Sequence, residues 1–361
     1  LANLIGNINA GGGGVNRNFL INGSTSVAQR ATSKTGIGAT SGYFTCDRWK
    51  ITTGNTAGEL TMTQDSSAPS GTGLANSIKL DCTNADGSIA ADELTIIGQS
   101  IEGQNLQTIK KGTSSAVPVT ASFYAKANAS ATYVAELFDH GNTRNNTRAF
   151  TVGTDWARVE LTFIPDTTGT IADDNDFGLT FQIWLHAGAT YSGGTFSDNT
   201  WQSVTAANRY AGSRTSFFDS ADRELFLTGL QLEVGQNATE FEHEPFGDTL
   251  QKCQRYYYSL PDTPTSSFRL VHLAHVQTST FGNSCFNHPT PMRAQPDITE
   301  KGTLVMHDGG SNRDYAIGAN YSTTTSVATN ITTSSFANTP QSGSVSNNSN
   351  ASNYLEIDAE L

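Results

Sequence analysis

The chain of 361 residues is long enough for two domains with hydrophobic cores, but only 15% of its residues are charged, well below the ~25% typical of soluble domains. The formal net charge is −12 and the sequence has no Lys/Arg cluster, which argues against a nucleic-acid partner. No apolar run approaches the ~20 residues that span a bilayer, so no membrane span is predicted. Gly, Ser, Thr and Asn dominate instead, which favours an all-β protein with polar loops.

Residues 1–15 include four consecutive glycines, Gly11 to Gly14. Such a run has no preferred conformation, so it predicts a flexible attachment segment ahead of the folded body. The alternative is a phosphate-binding loop. It lacks the Lys-Ser/Thr pair and the amphipathic helix that such a loop requires.

Short apolar segments separated by turn residues follow, with no helical period between them. The predicted strands are Asn18–Asn22, Tyr43–Thr52, Glu59–Gln64, Ser77–Cys82, Glu93–Glu102, Val117–Ala127, Thr132–Asp139, Ala149–Val152, Ala157–Ile164, Gly178–His186 and Arg223–Val234. This series predicts a jelly-roll β-sandwich over residues 16–245. The large side chains expected between its two sheets are Trp49, Phe123, Tyr133, Phe163, Phe181 and Trp184.

The stretch Arg223–Leu260 connects the sandwich to the rest of the chain. Pro245 suits the first position of a helix, so residues 246–260 are predicted to form a helical connector. Three consecutive tyrosines follow: Tyr256, Tyr257 and Tyr258. They cannot all face one core, so at least one is expected at an interface between domains or subunits, where tyrosine is favoured.

Residues 261–361 are predicted to form a second, smaller β domain. Its predicted strands are Phe268–Ser279, Phe281–Phe286, Gly302–His307, Asp314–Tyr321, Ser326–Thr333 and Tyr354–Leu361. The segment Asn338–Asn353 is mostly Ser, Asn, Gly and Thr and is expected to be a long loop. In the last strand the alternation of Leu355, Ile357, Ala359 and Leu361 predicts one buried face. An exposed closing strand would favour a closed symmetric oligomer.

The four cysteines are far apart and have no metal-binding spacing, so they are interpreted as buried small hydrophobes. A disulfide between Cys46 and Cys82 remains an alternative. No nucleophile motif is evident, and Glu240, Glu242 and Glu244 would share one face of an extended chain as a solvated edge or as charge partners of Arg223 and Arg255. A glycosidase needs two carboxylates set across a cleft. The protein is therefore not expected to be an enzyme.

An oxygen-rich loop between two predicted strands contains Asp173, Asp174, Asn175 and Asp176. Hard oxygen ligands of this kind suit Ca²⁺, although the loop lacks the Gly and distal Glu of an EF-hand. One hypothesis is a structural Ca²⁺ bound by Asp173, Asp174 and Asp176. A polar β-turn is the alternative.

Aromatic residues lie among polar ones in the loop-rich stretch Ala187–Ser220. A glycan site stacks an aromatic ring on a sugar and surrounds it with polar groups. Trp201 is the best candidate for an exposed platform, and the alternative is that it packs on the edge of the sandwich. The remaining candidate ligand residues are Tyr191, Tyr210, Asp198, Asn199, Asn208 and Arg209.

Four pieces of sequence carry a family resemblance. They are NFLINGSTSVAQR with YFTCDRWKI; Asp155 to Val159 with DDNDFGLTFQIW; Gly229 to Glu233 with Ala238 to Glu242 and CQRYYY; and Pro291 to Ala294 with Pro296. In this order they cover most of residues 16–300. The chain resembles tail-fibre-like structural proteins of tailed bacteriophages that combine a carbohydrate-binding-module-like jelly roll with a C-terminal β domain.

This resemblance implies a location in the virion, in a tail fibre or similar external appendage. It also implies a homotrimer, contact with other virion proteins, and non-catalytic attachment to host cell-surface polysaccharide. Two alternatives stay open: a capsid or neck decoration protein with no receptor role, and a capsule depolymerase.

Overall fold

The computed structural model describes residues 16–261, 267, 269–307, 312–314, 316–332 and 341–361. The chain divides into two compact units, the first ending at Thr249 and the second beginning at Leu250. The predicted attachment segment 1–15 lies outside the described residues. Within those residues, no helix has the length and apolar character needed to cross a membrane.

The first unit is a sandwich of two antiparallel sheets, which confirms the predicted all-β fold. Its strands are β1 (Ser33–Ile37), β2 (Gly42–Tyr43), β3 (Lys50–Gly54), β4 (Glu59–Asp65), β5 (Ser77–Asn84), β6 (Leu94–Glu102), β7 (Val119–Ala127), β8 (Ala131–Asp139), β9 (Arg144–Val152), β10 (Ala157–Phe163), β11 (Phe177–Ala187), β12 (Gln202–Ser203) and β13 (Glu224–Val234). One sheet has six strands in the order β1-β4-β5-β13-β7-β10, and the other has seven in the order β12-β9-β8-β11-β6-β3-β2. The chain crosses repeatedly between the two sheets, as in a jelly roll.

Period-two alternation decides which side chains fill the space between the sheets. Phe181 of β11 approaches Phe123 of β7 with ring centroids 6.2 Å apart, so this face of β11 lies in the core. Trp184 comes three residues after Phe181 in the same strand, so its side chain points to the opposite, outer face. The prediction that it fills the inter-sheet layer is wrong, although it is 0% exposed. Trp49, Phe123, Tyr133, Phe163 and Phe181 are all buried, as predicted.

Strand β13 lies at the centre of the six-stranded sheet and carries a β-bulge. Its register with β7 shifts between Thr228 and Gln231. Gly229 sits at this shift with φ of +61°. A side chain there would be strained by the positive φ and would meet Leu74 Cδ1 at 2.9 Å. A glycine is therefore required at the bulge.

Glu242 fixes the start of the described chain. Its carboxylate accepts hydrogen bonds from the backbone N–H groups of Asn16 at 2.7 Å, Arg17 at 2.9 Å and Asn18 at 3.0 Å. The segment Asn18–Asn22 is not a strand, contrary to the prediction. Only the Phe19 N–H donates to a strand, at the Leu232 carbonyl oxygen, while Leu20 and Ile21 donate to the side chains of Asn18 and Gln99, so no continuous ladder forms. Arg223 pairs with Asp219 at 2.6 Å rather than with the glutamates.

Replacement of Glu242 with Gln should lower the free energy of unfolding by about 1–3 kcal/mol, because it weakens three charge-assisted hydrogen bonds. The measurement is chemical denaturation monitored by tryptophan fluorescence. Glu240→Gln is the matched control, since the Glu240 side chain is exposed and only its carbonyl oxygen accepts hydrogen bonds. Equal stability of the two variants would contradict the role assigned to Glu242.

The predicted helical connector 246–260 is only partly helical. Helix α2 (Phe246–Gln254) is followed by strand β14 (Tyr257–Leu260), which pairs with the last strand of the chain. A short helix, α1 (Ala189–Ser192), lies in the first unit, and 3₁₀ segments span Gly103–Ile109 and Ala206–Asn208.

The three consecutive tyrosines are all buried within the single chain. Tyr256, Tyr257 and Tyr258 are 1%, 2% and 3% exposed. The Tyr258 hydroxyl and His288 Nδ1 are 2.6 Å apart. The helix ends before Tyr256, and Tyr257 and Tyr258 then point to opposite faces of a strand. The burial of the three tyrosines therefore does not require a second subunit, and an interface role for one of them stays a prediction.

The second unit contains two antiparallel sheets. Its remaining described strands are β15 (Leu270–Val276), β16 (Phe281–Asn287), β17 (Asp297–Lys301), β18 (Val305–His307), β19 (Asn312–Asp314), β20 (Ala316–Ser322), β21 (Ser326–Thr332), β22 (Gln341–Ser346) and β23 (Tyr354–Asp358). The sheet orders are β14-β23-β17 and β19-β18-β22-β15-β16-β21-β20.

Two predictions for the second unit are wrong. Strand β22 lies inside the predicted loop Asn338–Asn353, because backbone pairing with β15 does not need apolar side chains. Strand β23 is central in its sheet and not an exposed edge, since β14 and β17 pair with it on both sides. The predicted alternation is confirmed: Leu355, Ile357, Ala359 and Leu361 are all buried.

The cysteines differ from the prediction at one position. Cys46, Cys82 and Cys253 are buried, whereas Cys285 is exposed, and all four are free thiols. Burial raises the pKa of Cys46 to about 12, and the Asp47 carboxylate adds to this effect. This thiol is therefore protonated at neutral pH and acts as a small apolar side chain.

Candidate functional site

The outer face of the seven-stranded sheet carries a row of polar side chains. Strand register places Tyr43 beside Lys50, Lys50 beside Gly98, and Gly98 beside Gln182, which in turn lies beside Glu136. Directly paired residues of neighbouring strands point to the same face. Gly98 carries no side chain, so the row of side chains is interrupted between Lys50 and Gln182.

Glu136 is the centre of this face, and its side chain is 0% exposed. Its carboxylate accepts from Trp184 Nε1 at 2.6 Å and from Asn145 Nδ2 at 2.6 Å. It also accepts from Gln182 Nε2, and Arg209 binds it through both Nε and Nη2, at 2.9 and 2.8 Å. A buried carboxylate is stable only with such a complete set of donors. Glu136 thereby fixes Arg209 above the sheet.

Planar side chains follow one another along the same face. The centroids of Phe177 and His140 are 4.9 Å apart, and those of His140 and Phe138 are 4.7 Å apart. The Arg209 guanidinium then lies 4.8 Å from the Phe138 ring and 4.6 Å from the Trp184 ring. We call Phe177, His140, Phe138 and Arg209 the ring row. It is open at one end, where Phe177 is 42% exposed, and closed at the other, where Trp184 is buried.

Hydroxyl groups accompany the open end of the ring row. His140 Nε2 lies 2.7 Å from Thr180 Oγ1, which lies 2.9 Å from Ser100 Oγ. Although His140 is exposed, desolvation by the groups packed against its ring lowers its pKa from the ordinary value, and this outweighs the opposite effect of Asp139. The imidazole is therefore neutral at pH 7. A neutral ring beside hydroxyl groups can both donate and accept hydrogen bonds.

A cleft of about 400 Å³ borders the ring row at Phe177. Its other lining residues include Asn142, Asp174 and Asp176. The cleft thus places the exposed carboxylates of Asp174 and Asp176 next to the open end of the ring row. This combination is suited to a polar ligand that also has a flat apolar face.

Trp201, the predicted platform, packs against the edge of the sandwich. Its Nε1 donates to the Ile164 carbonyl oxygen at 2.7 Å, and the Lys111 ammonium lies 5.2 Å from its ring centroid. Asn199 Oδ1 accepts from the Ile164 N–H at 3.1 Å. Asp198 has an exposed carboxylate, with Oδ2 3.5 Å from Arg148 Nε. The indole is engaged on two sides, so Trp201 is not the exposed platform that the sequence favoured.

The other predicted ligand residues lie over Trp184. Tyr210 is buried and its hydroxyl donates to the Thr215 carbonyl oxygen at 2.7 Å, so it cannot contact a sugar as predicted. Tyr191 is half-buried with its ring 5.5 Å from that of Trp184. Asn208 Oδ1 accepts from the Thr195 N–H at 2.9 Å, which holds the loop together. Of the predicted set, only Arg209 is part of the ring row.

The predicted calcium ligands do not converge. Asp174 Oδ1 accepts from the Asp176 N–H at 3.1 Å, and both residues use main-chain oxygens to bind the 3₁₀ segment Gly103–Ile109. The exposed carboxylates of Asp173, Asp174 and Asp176 do not form a group of three within reach of one ion. In the described part of the chain such a group exists elsewhere, at Asp86, Glu93 and His186.

A buried charge network lies beneath Trp201. Lys111 Nζ is 2.5 Å from Asp139 Oδ2 and 3.1 Å from Asp166 Oδ2, and Arg144 Nε is 2.8 Å from the same Asp166 oxygen. Burial on its own would raise the pKa of Asp166. Hydrogen bonds from Arg144, the Thr168 N–H and Lys111 outweigh it and hold the pKa below the ordinary 3.8.

Because the pKa of Asp166 is lower in the folded chain than in the unfolded one, its contribution to stability is complete above the unfolded pKa of ~3.9. The contribution is lost as the pH falls through the folded pKa. Asp166→Asn should lower the free energy of unfolding at pH 7 by about 3–5 kcal/mol, because Lys111 and Arg144 lose a buried partner. It should also flatten the loss of stability below pH 4. Asp173→Asn, at an exposed carboxylate, is the control for urea denaturation between pH 2 and 7. A wild-type pH dependence in Asp166→Asn would contradict this.

The second unit has a groove of about 580 Å³ on its seven-stranded sheet. Its lining includes Leu273, His275, Asn283 and Cys285 but no Phe, Tyr or Trp. The His275 imidazole is the one ring among these lining residues, so the groove offers less aromatic surface than the ring row. The outer face of the first unit is therefore the stronger candidate.

Four residues of this face were not predicted to be part of a site: Phe138, His140, Phe177 and Glu136. One signal was available: Glu136 is the only charged residue between Thr132 and Phe138. A charge inside a strand that is otherwise apolar on both faces indicates a satisfied buried site. Its partners, however, come from β9, β11 and the loop that carries Arg209, and pairing of distant segments is not readable from the sequence.

No model of a known protein family matches the chain, and no curated protein matches it. Among solved structures it is similar to the enzymatically active domain of tailspike protein 4 of bacteriophage CBA120, with 12% identity and a TM-score of 0.29 over 60% of this chain and 21% of that one. It is similar to TmCBM61 in complex with β-1,4-galactotriose, with 12% identity and a TM-score of 0.29 over 60% of this chain and 99% of that one. It is also similar to a family 11 carbohydrate-binding module from Clostridium thermocellum, with 11% identity and a TM-score of 0.27 over 59% of this chain and 99% of that one. The match thus spans about a fifth of the tailspike chain. At these TM-scores the likenesses do not bear on function.

Proposed function

We propose that the chain is a non-catalytic glycan-binding protein and that the outer face of its seven-stranded sheet is the binding surface. The ring row carries this proposal. The Phe177 and His140 rings are inclined by only 34°, Phe138 stands edge-on to His140 at 77°, and Phe177 leaves the open end of the row accessible. A pyranose ring has one apolar face of C–H groups that packs on such rings.

The polar groups beside the ring row supply the second half of sugar recognition. Thr180 and Ser100 offer hydroxyl groups, and Gln182 and Lys50 lie in the adjacent register row. Lys50 Nζ is also 5.5 Å from the Tyr43 ring, which extends the aromatic surface to the sheet edge. Sugar hydroxyls need such donors and acceptors at the rim of an aromatic platform.

The carboxylates near the ring row support binding without catalysis. Glu136, at the centre of the face, is held by four side-chain partners and is shielded from solvent. A general acid or base has to reach a substrate proton. Asp174 and Asp176 are exposed, without the contrasting environments that separate an acid from a base.

We further propose that the chain attaches a phage virion to a host cell-surface polysaccharide as a homotrimeric part of a tail fibre or similar appendage. The sequence resemblance described above supports this placement. Decoration of the capsid or neck without a receptor role is the rival proposal. A second rival proposal is that the chain is a depolymerase that degrades capsule.

Phe177→Ala should weaken glycan binding about tenfold or more. A stacked aromatic ring contributes about 1.5–3 kcal/mol when fully buried, and 1.4 kcal/mol corresponds to a factor of ten. The measurement is a glycan array followed by calorimetric titration with the best soluble glycan. Phe177→Trp keeps a platform and should retain binding.

Trp156→Ala is the matched control, because the Trp156 ring packs on Phe226 of the six-stranded sheet, 6.1 Å away. Trp201→Ala distinguishes the two candidate regions. The proposal fails if Phe177→Ala binds normally while remaining folded, and loss of binding in Trp201→Ala alone would move the site to the Ala187–Ser220 loops.

Purified protein should block adsorption of a phage that carries this chain to its host, and the Phe177→Ala variant should not. Mass from light scattering on a sizing column should correspond to three chains. Blocking without glycan degradation would separate the receptor-binding proposal from the depolymerase. Normal adsorption in the presence of excess correctly assembled protein would favour the decoration alternative.

A further inference from the structure

One buried group of metal-ligating side chains lies outside the ring row. Asp86 is in the loop after β5, Glu93 immediately precedes β6, and His186 is near the end of β11. Their donor atoms all lie within 4.8 Å of one another. The three residues are 6%, 3% and 0% exposed. The β5–β6 loop and strand β11 thus place two carboxylates and an imidazole around one point.

The two carboxylates lack a basic partner. Across the described residues, no lysine or arginine forms an ion pair with Asp86 or Glu93. His186 Nε2 lies 3.0 Å from Glu93 Oε2. Two buried carboxylates side by side are unfavourable unless a positive charge is shared between them. A proton can supply part of that charge, and a divalent cation can neutralise both carboxylates.

The imidazole is held in the orientation of a ligand. His186 Nδ1 lies 2.8 Å from Ser216 Oγ, and the Phe218 ring packs edge-on at 5.2 Å. With Nδ1 bonded to a hydroxyl and the ring fixed by an aromatic neighbour, Nε2 is directed at Glu93. Hydrogen bonding of the second ring nitrogen is the usual support of a metal-bound histidine.

The carboxylates are anchored in the same way. Glu93 Oε1 accepts from the Ala90 N–H at 2.7 Å, and Asp86 Oδ1 accepts from the Ser88 N–H at 2.9 Å. The second oxygen of Glu93 faces His186. The second oxygen of Asp86 accepts long hydrogen bonds, 3.3 Å from the Ala57 N–H and 3.4 Å from Thr56 Oγ1, and the Asp86 and Glu93 carboxyl groups lie within hydrogen-bonding reach of each other. Each carboxylate therefore has one oxygen held by backbone and one with coordinating capacity left.

We propose that Asp86, Glu93 and His186 bind a divalent transition-metal ion of the Zn²⁺ type. One nitrogen and two carboxylate oxygens suit Zn²⁺, with ligand distances of about 2.0–2.2 Å. Ca²⁺ prefers oxygen ligands alone. The ion takes the position of any proton between His186 and Glu93, and that proton is released to solvent. Since it joins the β5–β6 loop to β11, the ion stabilises the sandwich.

The test starts with protein treated with a chelator and dialysed against Zn²⁺, Mn²⁺ or Ca²⁺, followed by elemental analysis and thermal unfolding. Wild-type protein should retain about one equivalent of Zn²⁺ and unfold at a higher temperature than the chelated sample. Glu93→Gln and Asp86→Asn should each weaken Zn²⁺ binding at least about tenfold. Asp173→Asn, in the acidic loop, should bind as wild type.

Two outcomes would overturn the proposal. One is wild-type protein that retains no Zn²⁺ or Mn²⁺ and whose unfolding temperature the metals do not change, which would leave a proton as the shared charge. The other is Zn²⁺ binding that survives in Glu93→Gln but is lost in Asp173→Asn. Because the first outcome is read from wild-type protein, the test does not depend on whether the variants fold.

Discussion

The outer face of the sandwich depends on one buried carboxylate. Glu136 stands in the middle of the seven-stranded sheet, where a charge can be tolerated only if every lone pair has a donor. Trp184 and Gln182 supply donors from the neighbouring strand and Asn145 from the other side. Arg209 supplies the compensating charge from a loop. The requirement of one side chain thus brings a distant loop onto the sheet.

That loop divides the face into a closed and an open half. Over Trp184, the rings of Tyr191 and Tyr210 and the Arg209 guanidinium cover the sheet. Beyond Arg209 the ring row continues to Phe177 without a covering loop. An extended polar ligand with apolar faces would meet rings and hydrogen-bonding groups at the same depth there. The Glu136–Arg209 pair therefore marks the boundary between the covered part of the sheet and the part that a glycan could reach.

Period and turn chemistry were sufficient to predict the all-β fold, and most sandwich strands lie where alternation placed them. Face assignment was harder. Trp184 was predicted between the sheets because it is large and apolar, yet alternation from Phe181 puts it on the other face. Strand β22 was missed because its pairing is carried by the backbone, and its residues Gln341–Ser346 are mostly polar. For the site, Arg209 was found from its polar neighbours, whereas Phe138, His140 and Phe177 come together only through the register of β8 and β11.

Four buried acids of the first unit each have a lysine or an arginine that balances the negative charge. Glu136 has Arg209, Asp139 has Lys111, and Asp166 has both Lys111 and Arg144. Glu233 has the more distant Arg17, at 3.7 Å. In each case a permanently charged side chain enters the interior, since an unpaired buried carboxylate would cost several kcal/mol.

The pair Asp86 and Glu93 departs from this pattern. Two carboxylates share one imidazole, which carries at most a single positive charge. The fold brings lysine or arginine to Glu136, Asp139, Asp166 and Glu233 but, among the described residues, to neither Asp86 nor Glu93. A site that has been given three converging donor atoms and too little positive charge is most simply completed by a cation from solution, and the chemistry of its single nitrogen and two oxygens selects a transition metal over calcium.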